Sequence, residues 1–212
     1  MSPISKDHIY TILFERIVNG IYPRDTHLRE ANLADEFGVS RTPIREVLMQ
    51  LSQDGIVALT PNRGATVSPL TADDVEEMYA IRKQLEILAL EFAVPHMSLE
   101  PLRDLKRRLT VLKGIEDAEE AMRIDREIHQ YILEASKKKR LITIVNQLLR
   151  PMESFRSIGF QEKAIFDRVN SEHAELIDAI TKRDLKNARE ILAEHLENSK
   201  QATIAFLFQR TN

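Results

Sequence analysis

Three histidines and one aspartate in the second half of this sequence stand at positions where helical spacing turns them toward a core. Asp125 and His129 are four residues apart, and both fall in the middle of the apolar stripe predicted for residues 118–135. His173 and His195 each lie at the centre of the stripe of another predicted helix. Burying such groups without partners would cost on the order of a few kcal/mol each, so they require partners.

One divalent transition metal per chain would satisfy all four groups together if the three helices converge. Imidazole nitrogens with one carboxylate favour zinc, and also nickel, manganese or iron, over calcium or magnesium, which prefer oxygen ligands. A metal-free network of hydrogen bonds is the alternative, since a single inward histidine is usually a core residue with a hydrogen-bond partner. The spacing therefore predicts a metal site whose ligands are Asp125, His129, His173 and His195.

A second inward group of charged residues lies in the helix predicted for residues 72–94. Arg82 and Glu86 fall within its apolar stripe and are one helical turn apart. They can form an internal ion pair with each other. Alternatively, Arg82 faces a cavity and holds an anionic effector through two parallel hydrogen bonds. The sequence leaves both interpretations open.

The elements that would position these residues are mostly helical. After Pro69 the sequence has the periodicity of about six helices and no strand signal. Before it, three helices are followed by two short β-prone runs, which is the order of a winged helix-turn-helix. We expect a mostly α fold with a winged helix-turn-helix and small β hairpin in residues 1–68, a linker in 69–72, and an all-α helical bundle in 73–212.

The second helix of the predicted helix-turn-helix begins after Ser40 and carries two arginines in its first turns. A recognition helix places these turns against base edges in the major groove, and an arginine there can bond both acceptors of a guanine. Hydroxyl groups in the same turns can bond phosphate. An arginine in the hairpin can reach a minor groove or the backbone. The predicted DNA contacts in this segment are Ser40, Arg41, Thr42, Arg45 and Arg63.

Overall charge gives no support for DNA binding. Within residues 1–68, Lys and Arg total seven while Asp and Glu total eight. A small helical domain with a solvated arginine face is therefore the alternative, and the prediction depends on where the basic residues lie.

Residues 28–67, LREANLADEFGVSRTPIREVLMQLSQDGIVALTPNRGATV, closely resemble the DNA-binding domain of the GntR family of bacterial regulators. The resemblance implies that double-stranded operator DNA is touched by four residues, Arg41, Thr42, Arg45 and Gly64. The chain departs from the family at Arg24, where glycine usually follows the proline. This departure concerns the local turn and not DNA binding.

The motifs YAIRKQLE, IDREIHQYILEAS, SEHAELIDAI and AEHLENS look like the FCD effector domain of the FadR subgroup of that family. In its metal-binding branch, the aspartate and three histidines of these motifs hold one metal, which implies the same four ligands named above. The metal there commonly faces a carboxylate, so the resemblance implies a small organic acid or sugar acid as effector. Lys137 and Lys138 stand where the family usually has Gly-Asn, so the shape of the effector cavity differs here.

These patterns together predict a ligand-responsive transcription regulator, in the family more often a repressor, that binds a palindromic operator as a homodimer. The chain has no cysteine, no apolar run long enough for a membrane span and no N-terminal secretory signal. We therefore expect a cytoplasmic protein that has no membrane partner and is not an enzyme. Three alternatives differ from this reading: a metal-dependent hydrolase or isomerase, a purely structural metal-stabilised dimerisation module, and a metal-free sensor of acyl chains.

Overall fold

The structure is a computed structural model that describes residues 4–18, 20–60, 64–68, 71–112, 115, 117–159 and 163–209. The chain falls into two compact units, Met1–Thr71 and Ala72–Asn212. Among the described helices, none combines the length and the apolar character that crossing a lipid bilayer requires.

The N-terminal unit contains three helices and a three-stranded sheet, which confirms the predicted winged helix-turn-helix. Its elements are α1 (Lys6–Val18), β1 (His27–Leu28), α2 (Glu30–Phe37), α3 (Arg41–Gln53), β2 (Val57–Thr60) and β3 (Gly64–Val67). The strands pair antiparallel in the order β1-β3-β2. The sequence predicted only a connector where β1 lies, because two residues are too few to show an alternating pattern.

The helix-turn-helix forms as its sequence predicts. The C-cap of α2 is Gly38, whose left-handed φ of 64° a residue without a Cβ adopts at little cost. Ser40 occupies the N-cap position of α3, but its side chain makes no capping hydrogen bond. The apolar face of α3 is buried, as predicted, and consists of Ile44, Val47, Leu48 and Leu51.

Gly64 is required by the packing of β1 against β3. Its φ is 104°, a conformation that residues with a side chain rarely adopt. A Cβ at this position would overlap the carbonyl oxygen of Leu28. Gly64 is one of the predicted DNA contacts, but it is also needed so that β1 can pair closely with β3.

We expect Gly64→Ala to lower the free energy of unfolding of the N-terminal unit by about 2 kcal/mol or more, because strain and overlap act together. Urea denaturation measures this. Gly38→Ala is the matched control: its φ is also positive, but an added Cβ meets no atom within 4 Å. Equal losses for the two variants would show that the close approach of β1 is not required.

Over the residues that the structure describes, the C-terminal unit consists of six helices, as predicted. They are α4 (Ala72–Ala93), α5 (Glu100–Leu112), α6 (Ala118–Ala135), α7 (Lys139–Gly159), α8 (Lys163–Thr181) and α9 (Leu185–Gln209). α4 packs against α6, α7 and α9, and α8 packs against α5, α6 and α9. The core between them is formed by fully buried aliphatic side chains such as Leu90, Ile124 and Leu176.

The backbone accounts for the two departures from the family pattern in different ways. Lys137, between α6 and α7, has a left-handed φ of 56°, which costs a lysine about 1–2 kcal/mol and which glycine adopts freely. In the turn near Arg24 the left-handed residue is Asp25, with φ 68°. Aspartate tolerates this conformation better than most residues, so arginine at position 24 does not disturb the turn.

Candidate functional site

A cluster of buried polar side chains lies inside the C-terminal unit. Asp125 and His129 come from α6, His173 from α8 and His195 from α9. Each of the four is at most 5% exposed. Their potential ligand atoms all lie within 4.8 Å of one another. The structure therefore brings together the four residues that the helical spacing singled out.

The three imidazole rings direct their Nε2 atoms at one point. The Nε2 of His129 lies 3.2 Å from that of His195 and 3.4 Å from that of His173. The Oδ1 of Asp125 lies 3.4 Å from His173 Nε2 and 3.6 Å from His129 Nε2. Atoms bound to one ion at about 2.1 Å are about 3.0–3.4 Å apart in octahedral or tetrahedral geometry. The donor atoms thus have close to the spacing of neighbouring ligands of a single metal ion.

Two carboxylates hold two of the rings from the side away from this point. The Oε2 of Glu86 lies 2.5 Å from Nδ1 of His129, and the Oε2 of Glu172 lies 2.8 Å from Nδ1 of His195. Glu172 is itself held by Asn198, whose Nδ2 donates to Oε1 at 2.7 Å. A ring whose Nδ1–H faces a carboxylate presents the lone pair of Nε2 to a cation.

The electrostatics of the cluster favour a cation at its centre. Burial lowers the pKa of His195 to about 3, so this ring stays neutral, the form that binds a metal. Burial also acts to lower the pKa of His129, but the negative charges of Glu86 and Asp125 outweigh it and raise the pKa. The negative potential that attracts a proton to His129 attracts a metal cation as well.

Arg82 is almost completely buried and forms an ion pair. Its Nε donates to Oε1 of Glu86 at 2.6 Å, and its guanidinium carbon lies 5.5 Å from the centre of the Tyr79 ring. Burial by itself would raise the pKa of Glu86, but the charges and hydrogen bonds of Arg82 and His129 together outweigh burial and lower this pKa well below its ordinary value. The ion-pair interpretation of these residues therefore describes the structure.

The ion pair leaves part of the Arg82 guanidinium unused. Its Nη2 is buried and has no hydrogen-bond partner among the described residues. A buried donor of this kind costs free energy until an acceptor binds it. Because Glu86 contacts Arg82 through one oxygen and His129 through the other, an anion at Nη2 would act on a carboxylate that also holds the cluster.

The carboxylate nearest to His129 in sequence binds an arginine instead of the cluster. Glu127 binds the guanidinium of Arg108, with contacts of 2.5 and 3.1 Å, and its side chain is 42% exposed. Two residues along a helix turn a side chain by about 200°, so Glu127 points away from the side of α6 that carries His129. The hydrolase or isomerase alternative thus lacks the general base that lies closest along the chain.

Of the residues predicted to contact DNA, those that the structure describes lie at the start of α3 and at the start of β3. Ser40, Arg41, Thr42 and Arg45 are all exposed on the first turns of α3. Gly64 begins β3, and Arg63 lies outside the described residues. Beside Arg41 runs an open groove of about 670 Å³, whose lining is His27, Arg29, Glu30, Ala31, Arg41, Thr60 and Thr66.

Glu30 orients Arg45, a role that no periodic pattern revealed because the two residues lie on different helices. The Nε of Arg45 donates to Oε1 of Glu30 at 3.0 Å, and its Nη2 donates to Oε2 at 2.8 Å. The hydrogen bond from Arg45 lowers the pKa of Glu30. The ion pair with Glu30 uses the guanidinium edge formed by Nε and Nη2 of Arg45. The end formed by Nη1 and Nη2 can still donate hydrogen bonds to a DNA base.

Comparisons with known proteins match both units. Residues 5–67 match bacterial regulatory proteins of the gntR family, and residues 77–198 match the FCD domain. The gluconate operon transcriptional repressor of Bacillus subtilis (strain 168) is 35% identical over 178 residues, which cover 80% of this chain and 72% of the repressor.

Two solved structures have the same fold. E. coli McbR/YncC, at 25% identity and a TM-score of 0.67, covers 99% of this chain and 100% of its own. The metal-free FCD domain of TM0439, a transcriptional regulator, has 25% identity and a TM-score of 0.60 over 67% of this chain and 99% of its own.

Proposed function

This chain belongs to the GntR family of bacterial regulatory proteins and carries an FCD domain, and on that premise we propose that it senses a small carboxylate at a buried metal site and binds operator DNA accordingly. Family membership makes it a transcription regulator and not an enzyme. The observation that carries the proposal is the convergence of three Nε2 atoms and one carboxylate inside the C-terminal unit. In this proposal residues 1–68 contact DNA, 69–72 link the units, and 73–212 bind the effector and dimerise.

Asp125, His129, His173 and His195 would hold one divalent transition metal per chain. Their spacing, their burial and the carboxylates behind two of the rings support this. Nitrogen-rich donor sets suit zinc, and nickel, manganese and iron accept the same set. The metal would supply a Lewis acid that binds a carboxylate oxygen.

Arg82 would bind the effector's carboxylate through its unused Nη2. A fully buried guanidinium discriminates strongly for an anion, since an uncharged ligand leaves the donor unpaired. The relative named for the gluconate operon supports testing sugar acids beside other small organic acids. Binding of the anion would change how strongly Arg82 binds Glu86. It would thereby shift α4, the helix that carries both residues and follows the linker along the chain.

The DNA-binding unit would read one half of a palindromic operator, and a homodimer would read both halves. Arg41 and Arg45 would reach base edges, Ser40 and Thr42 would bond phosphates, and Arg63 and Gly64 would act from the wing. Glu30 would hold Arg45 so that its Nη1 and Nη2 face a guanine end-on. The exposure of the first turns of α3 supports these roles.

We expect Arg45→Ala to weaken operator binding by about 1–3 kcal/mol and to relax the base preference at one position in each half-site. Fluorescence anisotropy on an operator selected from random DNA, and on its single-base variants, measures both effects at one salt concentration. Arg107→Ala, an exposed arginine of α5, is the control and leaves binding unchanged. Weaker binding with an unaltered base preference would make Arg45 a phosphate contact only.

The whole proposal is tested by elemental analysis of the purified protein together with operator binding in the presence of small molecules. The panel contains organic acids, sugar acids including gluconate, and neutral sugars as controls. We expect one metal per chain and an acid that changes operator affinity about 5-fold to 150-fold, the usual range of allosteric coupling. A bound metal with no response to any acid would favour a purely structural metal, and absence of metal would remove the sensing site while leaving DNA binding intact.

A further inference from the structure

Two turns of the C-terminal unit carry a concentration of positive charge. The turn between α6 and α7, together with the first residues of α7, contains four consecutive basic residues, and the turn between α8 and α9 adds two more. All six side chains are exposed: Lys137, Lys138, Lys139, Arg140, Lys182 and Arg183. The chain as a whole has a net charge of -3, so this positive charge is a local feature and not an overall surplus.

Both turns lie against the same end of α4. The Nζ of Lys138 lies 4.2 Å from the centre of the Phe92 ring, within the range of a cation–π contact. The Nη1 of Arg183 donates to the carbonyl oxygen of Val94, and its Nη2 donates to that of Met97 at 3.0 Å. The six cations therefore belong to one end of the helical bundle, which we call the basic end.

No carboxylate of the described residues forms an ion pair with any of the six cations. The two acidic residues nearest to these turns in sequence have other partners. Glu134 accepts a hydrogen bond from Gln130, and Asp184 accepts one from the backbone N–H of Asn187. Like charges that lie together repel one another, so the basic end calls for an anionic partner from outside the chain.

The stability of the folded chain does not account for these residues. Lys137 holds a left-handed φ of 56°, which glycine adopts more readily. Lys139 and Arg140 begin α7, although the dipole of a helix favours acidic residues in its first turn. Residues that break several local rules at one place are typical of functional sites. A binding role for the basic end is consistent with this pattern.

We infer that the basic end binds phosphates of duplex DNA outside the operator half-sites. A lysine bonds a phosphate oxygen as a compact charge and does not read the sequence of bases. The inference rests on the proposed operator binding, because DNA that the N-terminal unit already holds is at a high effective concentration for a second contact. An acidic protein or an anionic membrane would have to be met in a separate encounter.

The length of α4 indicates which phosphates are involved. The helix has 22 residues and begins directly after the linker, whereas the basic end lies at its other end. At about 1.5 Å per residue, α4 is about 33 Å long, close to the length of one turn of B-DNA. We therefore assign the contacted phosphates to DNA that flanks the operator.

Operator binding on two lengths of DNA tests this surface. Fluorescence anisotropy of the full-length protein compares a duplex of about 20 base pairs, which holds the operator alone, with one of about 60 that adds random flanks. We expect the wild type to bind the long duplex about tenfold more tightly at low salt. The plot of log affinity against log salt concentration should be steeper by about 2–3 on the long duplex, since two or three more phosphates are neutralised.

The double variant Lys137→Gly with Lys138→Asn introduces the two residues that the family usually has. It should reduce the advantage of the long duplex to below about threefold and leave binding to the short duplex unchanged. Its melting temperature should equal or exceed that of the wild type, because glycine relieves the left-handed lysine. Arg107→Gln with Arg123→Gln is the control: it also removes two exposed cations, but each of these is paired with an acid, so the advantage should remain.

The outcomes separate this inference from the proposed function. A long-duplex advantage that persists in the double variant, or that falls equally in the control, would overturn the basic end as a DNA contact. A wild type that binds the short duplex but gains nothing from the flanks would overturn the inference alone, and its retention on phosphatidylglycerol vesicles would assign the surface to lipid. A wild type that selects no operator would overturn the proposed function itself.

Discussion

His173→Ala is expected to reduce the metal content of the purified protein from one ion per chain to a trace. The Nε2 of His173 lies 3.4 Å from both His129 Nε2 and Asp125 Oδ1, so its removal opens the centre of the donor set. Loss of a residue that only supports a ligand costs 10-fold to 100-fold in metal affinity, and loss of a ligand should cost about 100-fold or more. Elemental analysis after dialysis measures the change.

His96→Ala is the matched control for this variant, since His96 is exposed and lies outside the cluster. It should retain the metal. A chelator should lower the melting temperature of the wild type, because a metal at 1,000 times its dissociation constant stabilises the folded state by about 4 kcal/mol. The melting temperature of His173→Ala should not respond to the chelator. Full metal content in His173→Ala would place the metal elsewhere.

Arg82→Ala is expected to destabilise the C-terminal unit by about 3–5 kcal/mol, because it leaves a buried carboxylate without its cation. Glu86 is 5% exposed, and its Oε1 accepts from Arg82 at 2.6 Å. Urea denaturation in the presence of a chelator measures this loss apart from metal binding. The same variant should lose the response of operator binding to the effector acid.

The double variant Arg82→Met with Glu86→Gln separates the two effects. Removing both charges from a buried pair is often neutral, so most of the stability should return. The glutamine can still accept from Nδ1 of His129, so the metal should stay. Effector binding should remain absent, as measured by the thermal shift with the acid that the wild type binds. An unchanged thermal shift would remove Arg82 from the effector site.

Patterns within single helices were enough to predict much of this protein. The four cluster residues, and Arg82 and Glu86, could be placed on inner faces because a side chain's direction about its own helix follows from spacing alone. The turn at Gly38 and the core face of α3 follow from equally local signals. The strand β1 escaped this reasoning because a two-residue strand exists only through its partner, β3.

Relations between helices were decided by tertiary packing. Glu86 and His129 are 43 residues apart, and Glu172 and His195 are 23 apart, so no periodic signal joins either pair. The pairing of Arg45 with Glu30 across two helices is another case. The spacing of residues in the sequence gives the direction of a side chain about the axis of its own helix. It does not give the position of a second helix. The relative position of two helices follows from the packing of their whole apolar faces. The close contact of the three imidazole rings, which come from three helices, is a result of that packing.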